Sequence, residues 1–258
     1  VHFAGQPCNM IEIHKLSKKY GFKIIEDASH AIGASYNNVK VGSCTHSDIT
    51  VFSFHPVKII TSGEGGMILT NNHEAASRLF YLRNSGNTKD KLLMQSQPEN
   101  EIWNYQQVEL GFNYRMTDIQ AALGLSQLTR LDKYVTKRRE IAKRYDSELI
   151  NLPLEIPYQL VGTFSSYHLY PIKILLNEIK KTQKQIYNLI RQKDIAVNLH
   201  YIPVYLQPYY QSMEFNRGYC PNAENYFKAA ISIPIYVGLN YDNQTKIINV
   251  ISDELFQN

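Results

Sequence analysis

Residues 52–66 read FSFHPVKIITSGEGG: an apolar run, one lysine, then hydroxyl side chains and a glycine-rich turn. Lysine belongs in water. Set among Phe52, Phe54, Val57, Ile59 and Ile60, the charged form of Lys58 is poorly solvated, so its pKa falls and the neutral, nucleophilic amine becomes accessible. Ser53, Thr61 and Ser62 bring hydroxyl donors, and Gly63, Gly65 and Gly66 permit close backbone approach. The stretch predicts that the chain closes there on something small and anionic.

The flanking segments supply a frame. NMIEIHKLSKKYG, residues 9–21, carries helix punctuation at both ends: Asn9 as cap, Glu12 to complete a capping box, Gly21 for the left-handed exit. FKIIEDA reads as a short buried strand ending in two carboxylates, DITVFSF as a second buried strand and GGMILTN as a third. Strand, helix and strand in that order suggest parallel βαβ packing in a layered α/β domain. Beyond Asn71 the pattern turns helical, over 73–84 and over 117–130, the latter opened by Thr117 with Gln120 as a second capping box. A long mixed-charge helix over 131–150 suits a bridge between domains. It is followed by a strand at HLYPIKILL, a helix over 178–193, a strand at AVNLHY, and helices over 222–230 and 242–256. Residues 1–130 thus read as part of a large α/β domain, and 131–258 as the bridging helix with a smaller α+β domain.

Composition narrows the function. Of 258 residues, 44% are hydrophobic and 19% charged, ordinary for a globular chain with a sizeable core. A net charge of +4 suits an anionic small molecule and is too mild to argue for nucleic acid. Cys8, Cys44 and Cys220 are far apart and form no CxxC, and the histidines form no HExxH; the pattern argues against a disulfide framework or a zinc site and fits a reducing compartment. No apolar run approaches the length of a membrane span. The chain opens VHFAGQP, without methionine and reading at once as a buried strand and turn, which suggests a preceding segment.

In open parallel sheets, ligands collect at the carboxyl ends of strands. Asp27 ends one candidate strand, and Ser53 to Lys58 follow another, so a carboxylate and an amine meet around one pocket if those strands are neighbours. Apolar walls, a lysine, hydroxyls and a carboxylate fit pyridoxal 5′-phosphate. The lysine would bond to the aldehyde, the hydroxyls would hold the phosphate, and the aspartate would keep the pyridine nitrogen protonated.

The ordered motifs EDASHAIGA, FSFHPVK with GEGG, GFNYRMTDIQAALGLSQL, SSYHLYPI, HYIPVYLQPYY and NAENYFKAAISIP resemble the sugar aminotransferases of the DegT/DnrJ/EryC1/StrS family from the first residue to about Gly238. The resemblance implies the aspartate aminotransferase-like fold type I, a three-layer α/β sandwich, here lacking the family's first third, followed by a small C-terminal α+β domain. It implies a transaminase that moves an amino group from L-glutamate to the 4-keto carbon of a nucleotide-linked 6-deoxy sugar. ASHAIG, SFHPVK and HLYPI are most similar to members acting on a UDP-sugar in pseudaminic acid biosynthesis. Lys58 would be the lysine bonded to the cofactor and the base of the proton shift. Asp27 would pair with the pyridine nitrogen, His30 would lie by the phenolic oxygen, and Ser53 would bind the phosphate. Asn113 would reach the phosphate of the neighbouring subunit's cofactor, which makes a homodimer part of the site. His55, Arg115, His168 and His200 are candidate substrate contacts. A cytoplasmic enzyme with no membrane or nucleic-acid partner is implied. Tyr205 stands where many members carry histidine, which leaves sugar contacts in that loop open. The missing third would normally supply further phosphate ligands and the ring that stacks on the cofactor. Two readings compete: a dehydratase of the same family, whose members replace the lysine with histidine, and a truncated, non-catalytic module that binds nucleotide sugar or dimerises. A nicotinamide dehydrogenase is weaker, because no GxGxxG follows a strand.

Overall fold

The computed structural model describes residues 1–96 and 101–256. Its first half is organised by a sheet of β1 (Ile25–Asp27), β4 (Ile49–Ser53) and β5 (Gly66–Leu69), in the order β1-β4-β5. A hairpin of β2 (Ser35–Tyr36) and β3 (Val39–Lys40) lies between β1 and β4 in sequence. β1 and β4 run parallel with Asp27 opposite Val51, as the sequence suggests. β4 and β5 run antiparallel, Ser53 opposite Gly66, which corrects the expectation of parallel packing throughout. The reason is the connection: a parallel return needs a crossover, usually a helix. Residues 54–65 form a tight loop instead.

Helix α1 (Met10–Tyr20) has the expected ends, with Asn9 Oδ1 accepting from Glu12 N and Gly21 at φ 74°. The box is only half made, because the Glu12 carboxylate takes Lys15 Nζ at 2.7 Å. VHFAGQP is not a strand: His2 N donates to Asp27 O (2.9 Å), and Phe3–Gly5 turn as 3-10 helix. β1 is buried on one face alone, with Glu26 inside and Ile25 65% exposed, against the expectation of a buried strand.

Helix α2 (His73–Arg83), capped by Asn72, leads to a ladder of β6 (Asn87–Thr88) and β7 (Gln106–Gln107). Helix α3 (Asp118–Leu128) shows the full Thr117–Gln120 box and has no buried residue. Helix α4 (Leu131–Leu149) buries Val135, Arg138, Ala142, Tyr145 and Leu149, a spacing of three and four that draws one stripe along it. The stripe serves two cores. Val135 packs with Ile59 and Ile60 beside Lys58, while Ile141, Ala142, Tyr145 and Leu149 enter the larger C-terminal core.

That core is built on β8 (Leu154–Glu155), β10 (Tyr170–Ile174) and β11 (Ala230–Ile233), antiparallel in the order β11-β10-β8. β9 (Thr163–Phe164) instead reaches back to β2. Helices α5 (Gln183–Gln192) and α8 (Tyr241–Phe256) cover the sheet through Ile186, Ile190, Ile247 and Ile251. The short α6 (Pro208–Gln211) and α7 (Pro221–Ala229) precede β11. Two expectations change here. AVNLHY is not a strand and pairs only through an Asn198–Ser232 bridge; the strand that fills the sheet is AISI, on the heels of α7. The helix expected over 178–193 starts at Gln183, because Thr182 and Gln185 close a capping box there.

Candidate active site

Alternation along β1 decides what each carboxylate does. Glu26 turns inward, accepting from Thr50 Oγ1 (3.0 Å) and from Ser47, and meeting His2 Nε2 at 2.6 Å. Asp27 therefore faces the other side, exposed at the strand end, where its Oδ1 accepts from Ser29 N (3.0 Å). Burial alone would raise its pKa, but the Ser29 hydrogen bonds hold the carboxyl below the usual range. It is a carboxylate at neutral pH.

Lys58 stands at the end of the turn after β4, its N–H on His55 O (2.9 Å). Of its apolar neighbours in sequence, Phe52, Ile59 and Ile60 are buried and Phe54 half-buried, whereas Val57 is exposed. Burial lowers the pKa of the ammonium, and the charge of Asp27 opposes that shift. The two groups thus act on each other at one site, as the strand order requires.

Three imidazoles surround the pair. His30 follows β1, with its Nδ1 accepting from Ala4 N (3.3 Å). Burial, then the Lys58 charge, push its pKa down to about 4. His168 lies with its ring centroid 4.4 Å from that of His30, is 6% exposed, and has no partner for Nδ1. Burial and the neighbouring cations lower its pKa to about 2. His200 is held through Nδ1 by Ser232 Oγ (2.8 Å), and burial and Lys58 lower its pKa as well. At pH 7 all three rings are neutral.

The hydroxyls divide. Thr61 Oγ1 donates to Phe54 O (2.8 Å) and Ser62 Oγ to Glu64 O (2.8 Å), so both close the loop rather than face a ligand. Ser53 Oγ accepts from His55 N (3.3 Å), which leaves its own hydrogen free to donate. The glycines likewise serve the loop: a Cβ on Gly66 would sit 2.8 Å from Phe52 O. His55 is exposed at the turn, 3.8 Å from Glu64.

Asn113 and Arg115 precede α3, on a segment whose Met116 packs against Gly65 of the loop after β4. Asn113 bridges to Asn84, and Arg115 lines an open groove of about 780 Å³ with Phe80, Tyr81, Lys89 and Tyr105. None of Asp27, His30, Lys58, His168 and His200 lines that groove. Tyr205 turns away too: its hydroxyl donates to Glu224 (2.7 Å) and accepts from Cys220 N (3.1 Å), stapling the 205–224 loop.

Sequence reasoning missed the supports behind these groups. Arg138, buried on α4, donates to the carbonyls of Tyr167 (3.1 Å), His168 (3.3 Å) and Ile235 (2.9 Å). Ser166 Oγ donates to His30 O (3.1 Å). The basic run Lys137–Arg139 reads as a solvated face, and only the helical stripe marks Arg138 as inward.

A family model described as the DegT/DnrJ/EryC1/StrS aminotransferase family matches residues 1–252. The chain belongs to that family. It is 38% identical over 257 residues to a UDP-4-amino-4,6-dideoxy-N-acetyl-β-L-altrosamine transaminase of Campylobacter jejuni, covering 99% of this chain and 64% of that protein. Among solved structures it is similar to Helicobacter pylori PseC, an aminotransferase involved in pseudaminic acid biosynthesis. That match has TM-score 0.88 and 31% identity, over 98% of this chain and 65% of the other. Spr1654 from Streptococcus pneumoniae in its PLP-form matches with TM-score 0.84 and 26% identity, over 98% and 66%. The chain therefore spans about two thirds of the length of the relatives it matches, and has the α/β fold of these family members.

Proposed function

We propose that this chain carries the lysine-bearing part of a pyridoxal phosphate-dependent aminotransferase. Its amino donor is L-glutamate and its acceptor the 4-keto carbon of a UDP-linked 6-deoxy sugar, on the way to pseudaminic acid or a related surface glycan. The observation that carries the reading is Lys58 with lowered basicity beside ionised Asp27 at the ends of adjoining parallel strands. The 38% identical Campylobacter jejuni transaminase supports the sugar class.

The donor set fits the cofactor. An ionised Asp27 suits a protonated ring nitrogen, a lysine of lowered basicity suits an aldehyde, and the hydroxyl hydrogen of Ser53 suits a phosphate oxygen. Pyridoxal phosphate supplies an aldehyde for covalent attachment and a conjugated ring that accepts the electron pair of a breaking C–H bond. Asp27 would pair with the ring nitrogen and keep it protonated. Lys58 Nζ would be the base that takes the proton from the amino-bearing carbon and returns it one position away. His30 would lie by the cofactor's phenolic oxygen, and His168 and His200 would be uncharged substrate contacts beside Lys58. Asn113 would reach the cofactor phosphate of the neighbouring subunit in a homodimer, and Arg115 would contact substrate. His55, exposed at the mouth, is a further substrate contact. We assign residues 1–130 to the large domain, 131–258 to the bridging helix and small domain, and the protein to the cytoplasm.

Borohydride reduction of the cofactor-loaded protein followed by peptide mapping tests the assignment. The pyridoxyl label is expected on Lys58, and Lys58→Ala is expected to abolish both label and amine transfer; a label on another lysine refutes it.

A further inference from the structure

We propose that Cys8 is an activated thiol, backed by a buried Glu26–His2 relay, that exchanges with small disulfides to form a mixed disulfide. The site lies behind β1, on the side that Glu26 faces, and takes no part in the chemistry of Lys58 and Asp27.

Three side chains stand in line. Glu26 is buried and accepts from Thr50 Oγ1 (3.0 Å) and Ser47 on Oε1, and its Oε2 meets His2 Nε2 at 2.6 Å. His2 is 1% exposed, and its other nitrogen, Nδ1, accepts from Cys8 N at 3.1 Å. A backbone N–H only donates, so Nδ1 is bare and the single ring hydrogen lies on Nε2, toward the carboxylate. The proton of Cys8 is then on sulfur, and Sγ donates to Val1 O (3.0 Å). The imidazole thus turns its vacant nitrogen to the cysteine while a carboxylate orients it from behind, the arrangement that lets a ring take up a thiol proton.

Electrostatics favour the same transfer. Hydrogen bonding to His2 holds the Cys8 thiol below its ordinary pKa, and burial opposes that less strongly. Burial disfavours a charged His2, but its hydrogen bonds with Cys8 and Glu26 outweigh burial and raise its basicity. Cys8 also stands one residue before the Asn9 cap of α1, whose positive end favours a thiolate. Cys8 is half-exposed, so a reagent reaches it; Cys44 is buried with its Sγ on Leu69 O (3.2 Å), and Cys220 is exposed.

The exchange balances. Cys8 gives its proton to His2 Nδ1, and its sulfur attacks one sulfur of R–S–S–R. A Cys8–S–S–R bond forms, the old S–S bond breaks, and the departing thiolate takes the proton back from His2. Cys8 is oxidised and half of the reagent is reduced, so the disulfide is the only oxidant required.

Reaction of the whole chain with glutathione disulfide, followed by peptide mapping, tests this. At pH 7 the adduct is expected on Cys8 about tenfold faster than on exposed Cys220. Equal rates, or label first on Cys220, overturn the proposal. The Cys8 rate should rise with pH through a midpoint below the ~8.5 of an ordinary thiol, and a midpoint at or above that value overturns it as well. His2→Gln is expected to slow Cys8 about tenfold at pH 7 and to leave it unchanged at about pH 10, where a thiol ionises without help. An unchanged rate at pH 7 refutes the relay. Should that variant not fold, the pH profile of the unaltered protein decides. Because neither cofactor nor nucleotide sugar is present, failure of the aminotransferase reading leaves these outcomes untouched.

Discussion

A lysine of lowered basicity and a charged carboxylate act on each other because burial treats them differently. Lys58 lies in a run whose Phe52, Ile59 and Ile60 are buried, while Asp27 stands exposed with a backbone donor on its oxygen. Both consequences were legible in the residues: the apolar run around position 58, and a carboxylate at a strand end. The hydroxyls were not, because composition cannot say whether Thr61 and Ser62 donate outward or back to their own loop. Arg138 is the residue whose role was least visible. It satisfies the backbone around His168, and burial pushes its pKa down to about 10. Arg138→Met is expected to cost roughly 2 kcal/mol or more, since three carbonyls lose a charged donor together. Urea denaturation measures it; a loss under half that figure would show that water replaces the guanidinium.

At the scale of elements, sequence punctuation was most dependable where a side chain binds its own helix. Thr117–Gln120 forms the box that the spacing predicts, and Asn9 and Gly21 bound α1 as written. Strands fared worse. AVNLHY and AISI both look like strands, and only AISI is one, because pairing depends on a partner edge far along the chain. Asn198 meets Ser232 once and then departs. Helix α5 starts where a local box forms, with Ile186 and Ile190 buried beneath it. Thr182→Ala should destabilise the protein by about 1 kcal/mol through loss of that cap. Chemical denaturation with an unchanged m-value would confirm a purely local loss, and no change in midpoint would refute it.

Across the molecule, the imidazole cluster sets a pH dependence. His30, with a pKa of about 4, and His168, about 2, both titrate below the ordinary 6.5, and His200 shifts the same way. As pH falls below about 6.5 the unfolded chain takes up protons that the folded protein refuses, so stability is lost on acidification. The melting temperature is expected to fall between pH 7 and pH 5, and to fall less steeply in His168→Phe. Equal slopes would show that His168 does not titrate on unfolding. The helix that joins the two cores, α4, sets this arrangement, with Val135 in one and Tyr145 in the other.

Order along the chain was enough to place the helix caps and the family, and to propose the pair at positions 27 and 58, because each depends on nearby residues or on motifs in register. Tertiary structure alone decided that β5 turns back antiparallel, that His30 and His168 meet ring to ring at 44°, and that Arg138 turns inward. Those facts depend on which distant segments share an edge or a cavity. Local preference carries no information about that, since hydrogen bonding and burial are settled only when the chain has closed on itself.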